Sequence, residues 1–154
     1  MGESMELNYI DIKKEFVNCL EKHELIVLST CLKDKVKSRM MCFVNDELVI
    51  YLLTGKRSNK CKQIEGNDNV SLCIDNIQIE GKAKIIGSPM DENNTEISKI
   101  FKSRHSAYYK RFAHFKVATF IEIRCEYLKQ WKFENGRDYY YCLNVVKEKA
   151  EKHT

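Results

Sequence analysis

Residues 77–86 read IQIEGKAKII, with Ile77, Ile79, Ala83 and Ile85 alternating with Gln78, Glu80, Lys82 and Lys84. Successive side chains of a strand point to opposite faces, so this period of two marks a sheet with one face buried. Similar segments lie on both sides of it. Upstream are LIVLST (25–30), SRMMCFV (38–44), DELVIYLLT (46–54) and NVSLCI (69–74); CLKDKV (31–36) between the first two reads as a turn. Downstream come KVATFIEIRCEYLKQWKF (116–133) and RDYYYCLNVV (137–146). In the longer one Val117, Ile121, Ile123, Cys125 and Tyr127 are expected to face one way. Glu134-Asn135-Gly136 between the two is a hairpin signal, because Asn-Gly tolerates positive φ. A helix is predicted over 8–22, capped by Asn8, with Ile12, Phe16, Cys19 and Leu20 on one face. Ile97, Ile100, Phe101, His105, Tyr108 and Phe112 repeat at three and four residues and predict a second helical interval. Six to seven mainly antiparallel strands with short turns tend to close into a barrel, which removes exposed edges. Residues 1–146 are expected to form this one domain, and the lysine-rich end, 147–154, a frayed tail.

The bulk numbers agree with a single domain. The chain has 154 residues, 44% hydrophobic and 31% charged, which suits a globular protein rather than a disordered one. No apolar run approaches the about 20 residues a membrane helix needs. The start MGESMELNYIDIKKEF has neither the apolar core of a secretory signal nor the Ser or Thr that a myristoylation signal prefers, so a cytoplasmic protein is expected. The seven cysteines contain no Cys-x-x-Cys pair, so no metal site is expected; they read as small buried hydrophobes of a reducing compartment. A net charge of +4 permits an anionic ligand without the strongly basic face of a nucleic-acid binder.

The chemistry concentrates at 51–72, YLLTGKRSNKCKQIEGNDNVSL. A strand ends at Thr54, and Ser58 is placed to cap a short helix running through Lys60, Cys61 and Ile64. Free N–H groups, the positive end of the helix dipole and Lys60 would converge there, with Arg39 adding a forked donor from the neighbouring strand. That is a phosphate site. Beside it stands the reading of Ser58 and Lys60 as an ordinary solvated helix start, and of Met40, Met41, Gln78 and Trp131 as structural residues.

The ordered set from SRMMCFVNDELVIYLLTGKRSNKCKQIEGNDNVSLCI to IQIEGKAKIIG resembles the pyridoxamine 5'-phosphate oxidase-like family of FMN-binding split barrels. An arginine opens a strand, a hairpin leads to a strand ending in threonine, Ser-x-Lys follows, and a later strand closes on EGKAKI. The resemblance implies an α+β fold, an antiparallel six- to seven-stranded split β-barrel with flanking helices. It implies that Arg39 and Lys60 bind the FMN phosphate, with hydroxyl bonds from Ser58 and Thr54. Met40 and Met41 would lie along the isoalloxazine ring and offer backbone groups to its polar edge, and Leu53 would contact the ring or ribityl chain. Gln78 would reach the flavin of the partner subunit, and Trp131 would stand at the shared cleft of a homodimer.

The departures point away from pyridoxamine phosphate as substrate. Where the vitamin B6 oxidase carries Arg-x-His-x-Arg, this chain reads Arg137, Tyr139 and Tyr141; Val44 and Asn59 replace two cations. The short general-stress-type or nitroreductase-like members are the nearer pattern. The function expected is an FMN-dependent oxidoreductase acting on an unidentified small molecule, with a nicotinamide nucleotide as a candidate donor. No residue is assigned to catalysis, since the flavin carries that chemistry; His105, Tyr108 and Tyr109 are within reach of the cleft. The alternatives are a flavin- or haem-type binder without turnover, and a small RNA-binding barrel stacking bases on the tyrosine run.

Overall fold

A computed structural model of the chain describes residues 2–154; Met1 lies outside the described residues. The elements in order are β1 (Ser4–Leu7), α1 (Tyr9–Glu21), β2 (Leu25–Leu32), β3 (Lys35–Asp46), β4 (Val49–Gly55), α2 (Asn59–Gly66), β5 (Asn69–Ile74) and β6 (Ile77–Gly87). A 3-10 turn (Glu92–Asn94), α3 (Thr95–Arg104), α4 (Ser106–Phe112), β7 (Ala118–Glu134), β8 (Arg137–Asn144) and β9 (Lys149–His153) complete the chain. All pairings are antiparallel, in the order β1-β9-β8-β7-β4-β3-β2-β5-β6, and a further β6–β7 ladder closes β7-β4-β3-β2-β5-β6 into a six-stranded barrel. The α+β split barrel expected from the sequence is the fold observed. Among the described residues no helix is long and apolar enough to cross a membrane.

The local signals act as their chemistry dictates. Asn8 caps α1 by accepting from Asp11 N at 3.0 Å, and Ile12, Phe16, Val17 and Leu20 enter the main core. The β2–β3 and β7–β8 hairpins turn on Lys33-Asp34 (φ 51° and 64°) and Asn135-Gly136 (φ 51° and 74°), the pair of positive φ values that matches the strand twist.

Three adjacent pairs, Phe43-Val44, Leu52-Leu53 and Phe120-Ile121, explain why β3, β4 and β7 are apolar on both faces. Phe43, Leu52 and Ile121 fill the barrel, whereas Val44, Leu53 and Phe120 belong to a second core outside it with Phe101, Tyr109, Ala113 and Ala118. The helical pair α3–α4 therefore packs on the outer wall.

Three expectations are corrected. The sheet has nine strands because β1 and β9 pair at its far edge, and β9 falls within the end read as a frayed tail. Ala150 is buried in the main core opposite Leu143, yet it is the only apolar residue of KAEKH, so composition concealed the strand. In β7 the inward phase holds through Ile121, Ile123 and Cys125 but passes to Leu128, because Glu80 pairs with Tyr127 and Gly81 with Cys125, leaving Glu126 as a bulge. Tyr127 thus leaves the inward face.

Gly81 makes that bulge possible. A Cβ there would stand 2.7 Å from the Arg124 carbonyl oxygen and 3.0 Å from Ile123 Cγ2. Gly81→Ala is expected to lower stability by about 1–3 kcal/mol, the usual cost of overpacking, read from the urea midpoint. An unchanged midpoint would mean the two strands separate freely here.

Candidate functional site

The β3–β4 ladder stops at Phe43–Leu52, although β3 begins at Lys35 and β4 runs on to Gly55. Past that point the strands part. Thr54 lies on the edge left free, and α2 starts just after it.

Ser58 takes the N-cap position of α2, as the sequence suggested, but its side chain makes no cap bond. Its Oγ is buried without any hydrogen-bond partner. A buried hydroxyl is ordinarily satisfied, because leaving one unpaired costs about 1–3 kcal/mol. Lys60 Nζ donates to Thr54 Oγ1 at 2.9 Å. Its pKa is lowered from the ordinary value, first by burial and then by the Arg39 guanidinium.

Arg39 is held from behind by a polar set that sequence reasoning missed. Its Nη1 donates to Thr30 Oγ1 at 2.7 Å and to the Lys37 carbonyl at 3.2 Å, and its Nη2 reaches Gln63 Oε1 at 3.4 Å. Thr30 Oγ1 donates to Gln63 Oε1 at 2.5 Å, and Gln63 Nε2 donates to the Lys35 carbonyl at 3.2 Å. Thr30 and Gln63 are both buried. The one available signal, a threonine closing an apolar strand and a glutamine in the helix after Ser-x-Lys, does not say by itself that either faces inward. Burial lowers the Arg39 pKa as well.

Neither Arg39 nor Lys60 meets a carboxylate in any ion pair among the described residues. Two part-buried cations that repel each other, beside an orphaned hydroxyl, form a corner whose donors could serve an anion with several acceptor oxygens. A phosphate fits that donor set.

The remaining candidates divide. Strand alternation sends Met41 into the main core, while Met40 points outward, 64% exposed, so their side chains cannot both line one ring. Leu53 sits in the second core, and its carbonyl accepts from Tyr108 Oη at 3.1 Å across the mouth of the split. The Tyr108 pKa is raised by burial and, secondarily, by Cys42. Gln78 and Trp131 stand away from the phosphate corner. The register Met40–Val27–Cys73–Gln78–Lys129 puts Gln78 on the same outward face as Met40, and Trp131, two residues beyond Lys129, shares that face. His105 Nε2 donates to the Phe43 carbonyl at 2.7 Å, and Tyr109 is buried in the second core. The tyrosine run carries lysines on its rings: Lys152 over Tyr139, Lys129 over Tyr140 and Lys132 over Tyr141, at 4.1–4.2 Å.

Residues 12–132 match the family described as pyridoxamine 5'-phosphate oxidase, which covers most of the chain and every element of the corner. The chain belongs to the pyridoxamine 5'-phosphate oxidase family. No curated protein matches the sequence. Among solved structures, general stress protein 26 of Bacillus anthracis is similar at 24% identity and a TM-score of 0.66, over 87% of this chain and 98% of that one. The haem storage protein HutZ of Vibrio cholerae aligns at 12% identity and a TM-score of 0.63, over 73% of this chain and 89% of its own. A FAD-binding protein of Mesorhizobium loti aligns at 8% identity and a TM-score of 0.56, over 100% and 99%. At these identities the likeness is one of fold. Flavin-type binding is in keeping with the family, and the relatives of this fold include both flavin- and haem-associated proteins.

Proposed function

We propose that the protein binds FMN and works in the cytoplasm as a homodimeric oxidoreductase on a small molecule. The observation that carries this reading is the Ser58 hydroxyl, buried and unpartnered among the described residues, beside two cations that meet no carboxylate there. Arg39 and Lys60 would neutralise the phosphate, Ser58 would donate its free hydroxyl, and Thr54 would orient Lys60. Thr30 and Gln63 fix the guanidinium in place before any ligand arrives, which reduces the ordering cost of binding. The flavin, once bound, supplies hydride or electron transfer.

The homodimer is supported by the outward face that Met40, Gln78 and Trp131 share. An isologous contact there would present each Gln78 to the partner subunit. The seven unpaired cysteines support a reducing compartment. A haem reading lacks an axial ligand at the corner, because His105 already donates its Nε2 hydrogen to a backbone carbonyl.

Freshly purified protein is expected to show an oxidised-flavin spectrum and to release FMN, equimolar with the chain, on denaturation. Colourless protein that takes up no added FMN would overturn the reading. The pH dependence has a definite sign. Without ligand, between the lowered Lys60 value and 10.5, the unfolded chain holds more protons than the folded one, so this group's share of stability rises with pH across that window. Affinity moves the other way. FMN should bind less tightly as Lys60 loses its proton in the same window, while riboflavin, which lacks the phosphate, shows no matching loss in parallel titrations. Equal pH profiles for the two ligands would count against Lys60 as the phosphate ligand.

A further inference from the structure

A bowl of about 400 Å³ opens between the segment that follows β6, one face of α3, and α4. It shares no lining residue with the phosphate corner, nor with the pocket of about 210 Å³ that Tyr108 and Phe112 line with Leu53 and Thr54. Thr95, Ser98, Lys99 and Lys102 recur at helical spacing and present one face of α3 to the bowl. Ser98 Oγ donates to the Pro89 carbonyl at 2.8 Å, which pins the proline segment against that face.

Tyr109 sets this bowl apart from an ordinary solvated helix face. The residue is 7% exposed, and its hydroxyl has no hydrogen-bond partner among the described residues, whereas the neighbouring Tyr108 donates to the Leu53 carbonyl. A buried phenol ordinarily finds a partner. Ser58 Oγ is the one polar side-chain atom sealed from solvent without a partner among the described residues, so the Tyr109 oxygen keeps an opening. The bowl is the cavity that Tyr109 lines. Around it the charge is mostly of one sign: Lys99, Lys102, Lys110 and His114 face a single carboxylate, Asp91. Lys99 is paired with Glu96 at 3.1 Å, but Lys102 and Lys110 are in no ion pair among the described residues. Counter-charge is scarce along the chain here, since residues 97–121 contain no carboxylate. One Asp91 oxygen is already occupied by the Asn93 N–H at 2.9 Å, and the His114 ring meets the Tyr109 ring edge to face at 6.4 Å.

We propose that the bowl is a second ligand site, for a small organic phosphate monoester whose head is held by Lys102, Lys110 and the Tyr109 hydroxyl and whose ring packs on Pro89 and Met90. A monoester carries nearly two negative charges and three strong acceptor oxygens, which matches two unpaired ammonium groups and one unpaired hydroxyl. Met90 is 51% exposed, and an unbranched thioether adapts to the shape of the body it covers. The volume lies within the range of about 300–1,000 Å³ usual for small-molecule pockets, so a single nucleotide-sized molecule fits. Nothing in this site depends on a bound flavin.

The test uses AMP and adenosine, which differ in the phosphate alone, in calorimetric titrations of protein saturated with FMN. The native protein should bind AMP about tenfold more tightly, the scale of two exposed ion pairs and a hydrogen bond to a charged group. Lys102→Gln with Lys110→Gln should bring the two probes to equal affinity. Tyr109→Phe should weaken AMP about fivefold, leave adenosine unchanged and melt no lower than the native protein, because the lost hydroxyl bonds nothing within the chain. Arg39→Ala with Lys60→Ala, which disables the corner, should keep the preference, and this arm stands whether or not the protein takes up FMN. Equal binding of AMP and adenosine by the native protein would overturn the proposal. So would a preference that survives Lys102→Gln with Lys110→Gln, one untouched by Tyr109→Phe, or one that disappears with Arg39 and Lys60, which would return the phosphate to the corner.

Discussion

Arg39→Ala combined with Lys60→Ala should strip the protein of flavin without unfolding it. Each charge-assisted hydrogen bond to a phosphate contributes about 1.5–3 kcal/mol, so losing one from each cation weakens FMN binding by roughly two to four orders of magnitude. The structure explains why the variant stays folded. Thr30 Oγ1 still donates to Gln63 Oε1 when Arg39 is gone, so this buried pair is not orphaned. Removing Lys60 also relieves the burial of its charge and, secondarily, its repulsion with Arg39, the two causes that lower its pKa. The flavin-free double variant should therefore melt no lower than flavin-free native protein, while an equilibrium titration shows FMN affinity lost and riboflavin affinity largely kept. Equimolar FMN in the purified double variant would remove the phosphate corner from the account.

The corner was legible because its parts obey local rules. A strand ending in threonine, a glycine and a serine before a helix fix where Thr54, Ser58 and Lys60 stand, and an arginine within an apolar strand draws notice. Thr30 and Gln63 were not legible in the same way. A threonine at the end of LIVLST reads equally as an outward residue, and only the pairing of β2 with β3 brings it to Arg39. Met40 and Met41 were expected together along one ring, but neighbours in a strand point to opposite faces, and the structure sends the Met41 side chain into the core and leaves Met40 outside. The bulge at Glu126 and the edge strand β9 were hidden because each depends on a long-range partner, Gly81 in one case and Leu143 in the other. The residues around Phe101 repeat at helical spacing, but nothing in that spacing says which wall of the barrel they cover.

The wall they cover sets the second large effect. Phe101 is fully buried outside the barrel, with ring centroids 5.7 Å from Phe120, 6.3 Å from Tyr108 and 5.6 Å from His105. Phe101→Ala should cost about 3–5 kcal/mol, the range for emptying a large aromatic site in a packed core. The damage should be local. Phe120 and Leu53 face the second core, while their neighbours Ile121 and Leu52 pack inside the barrel with Phe16 and Leu20, none of which loses a contact to Phe101 within its own cluster. Amide exchange should therefore quicken in α3 and α4 far more than in β2, β5 and β6. Two polar ties at the end of α3, Arg104 Nη1 to Asn45 Oδ1 at 2.9 Å and His105 Nε2 to the Phe43 carbonyl, would still tether the loosened pair. The consequence for function follows from the division of labour between the faces. Lys60 and Ser58 belong to α2, on the barrel's own core, so FMN phosphate binding should persist. Tyr108 and Phe112 belong to α4, so the pocket they line with Leu53 and Thr54 should lose its shape. Protection lost equally in every strand would show instead that the outer cluster and the barrel unfold as one unit.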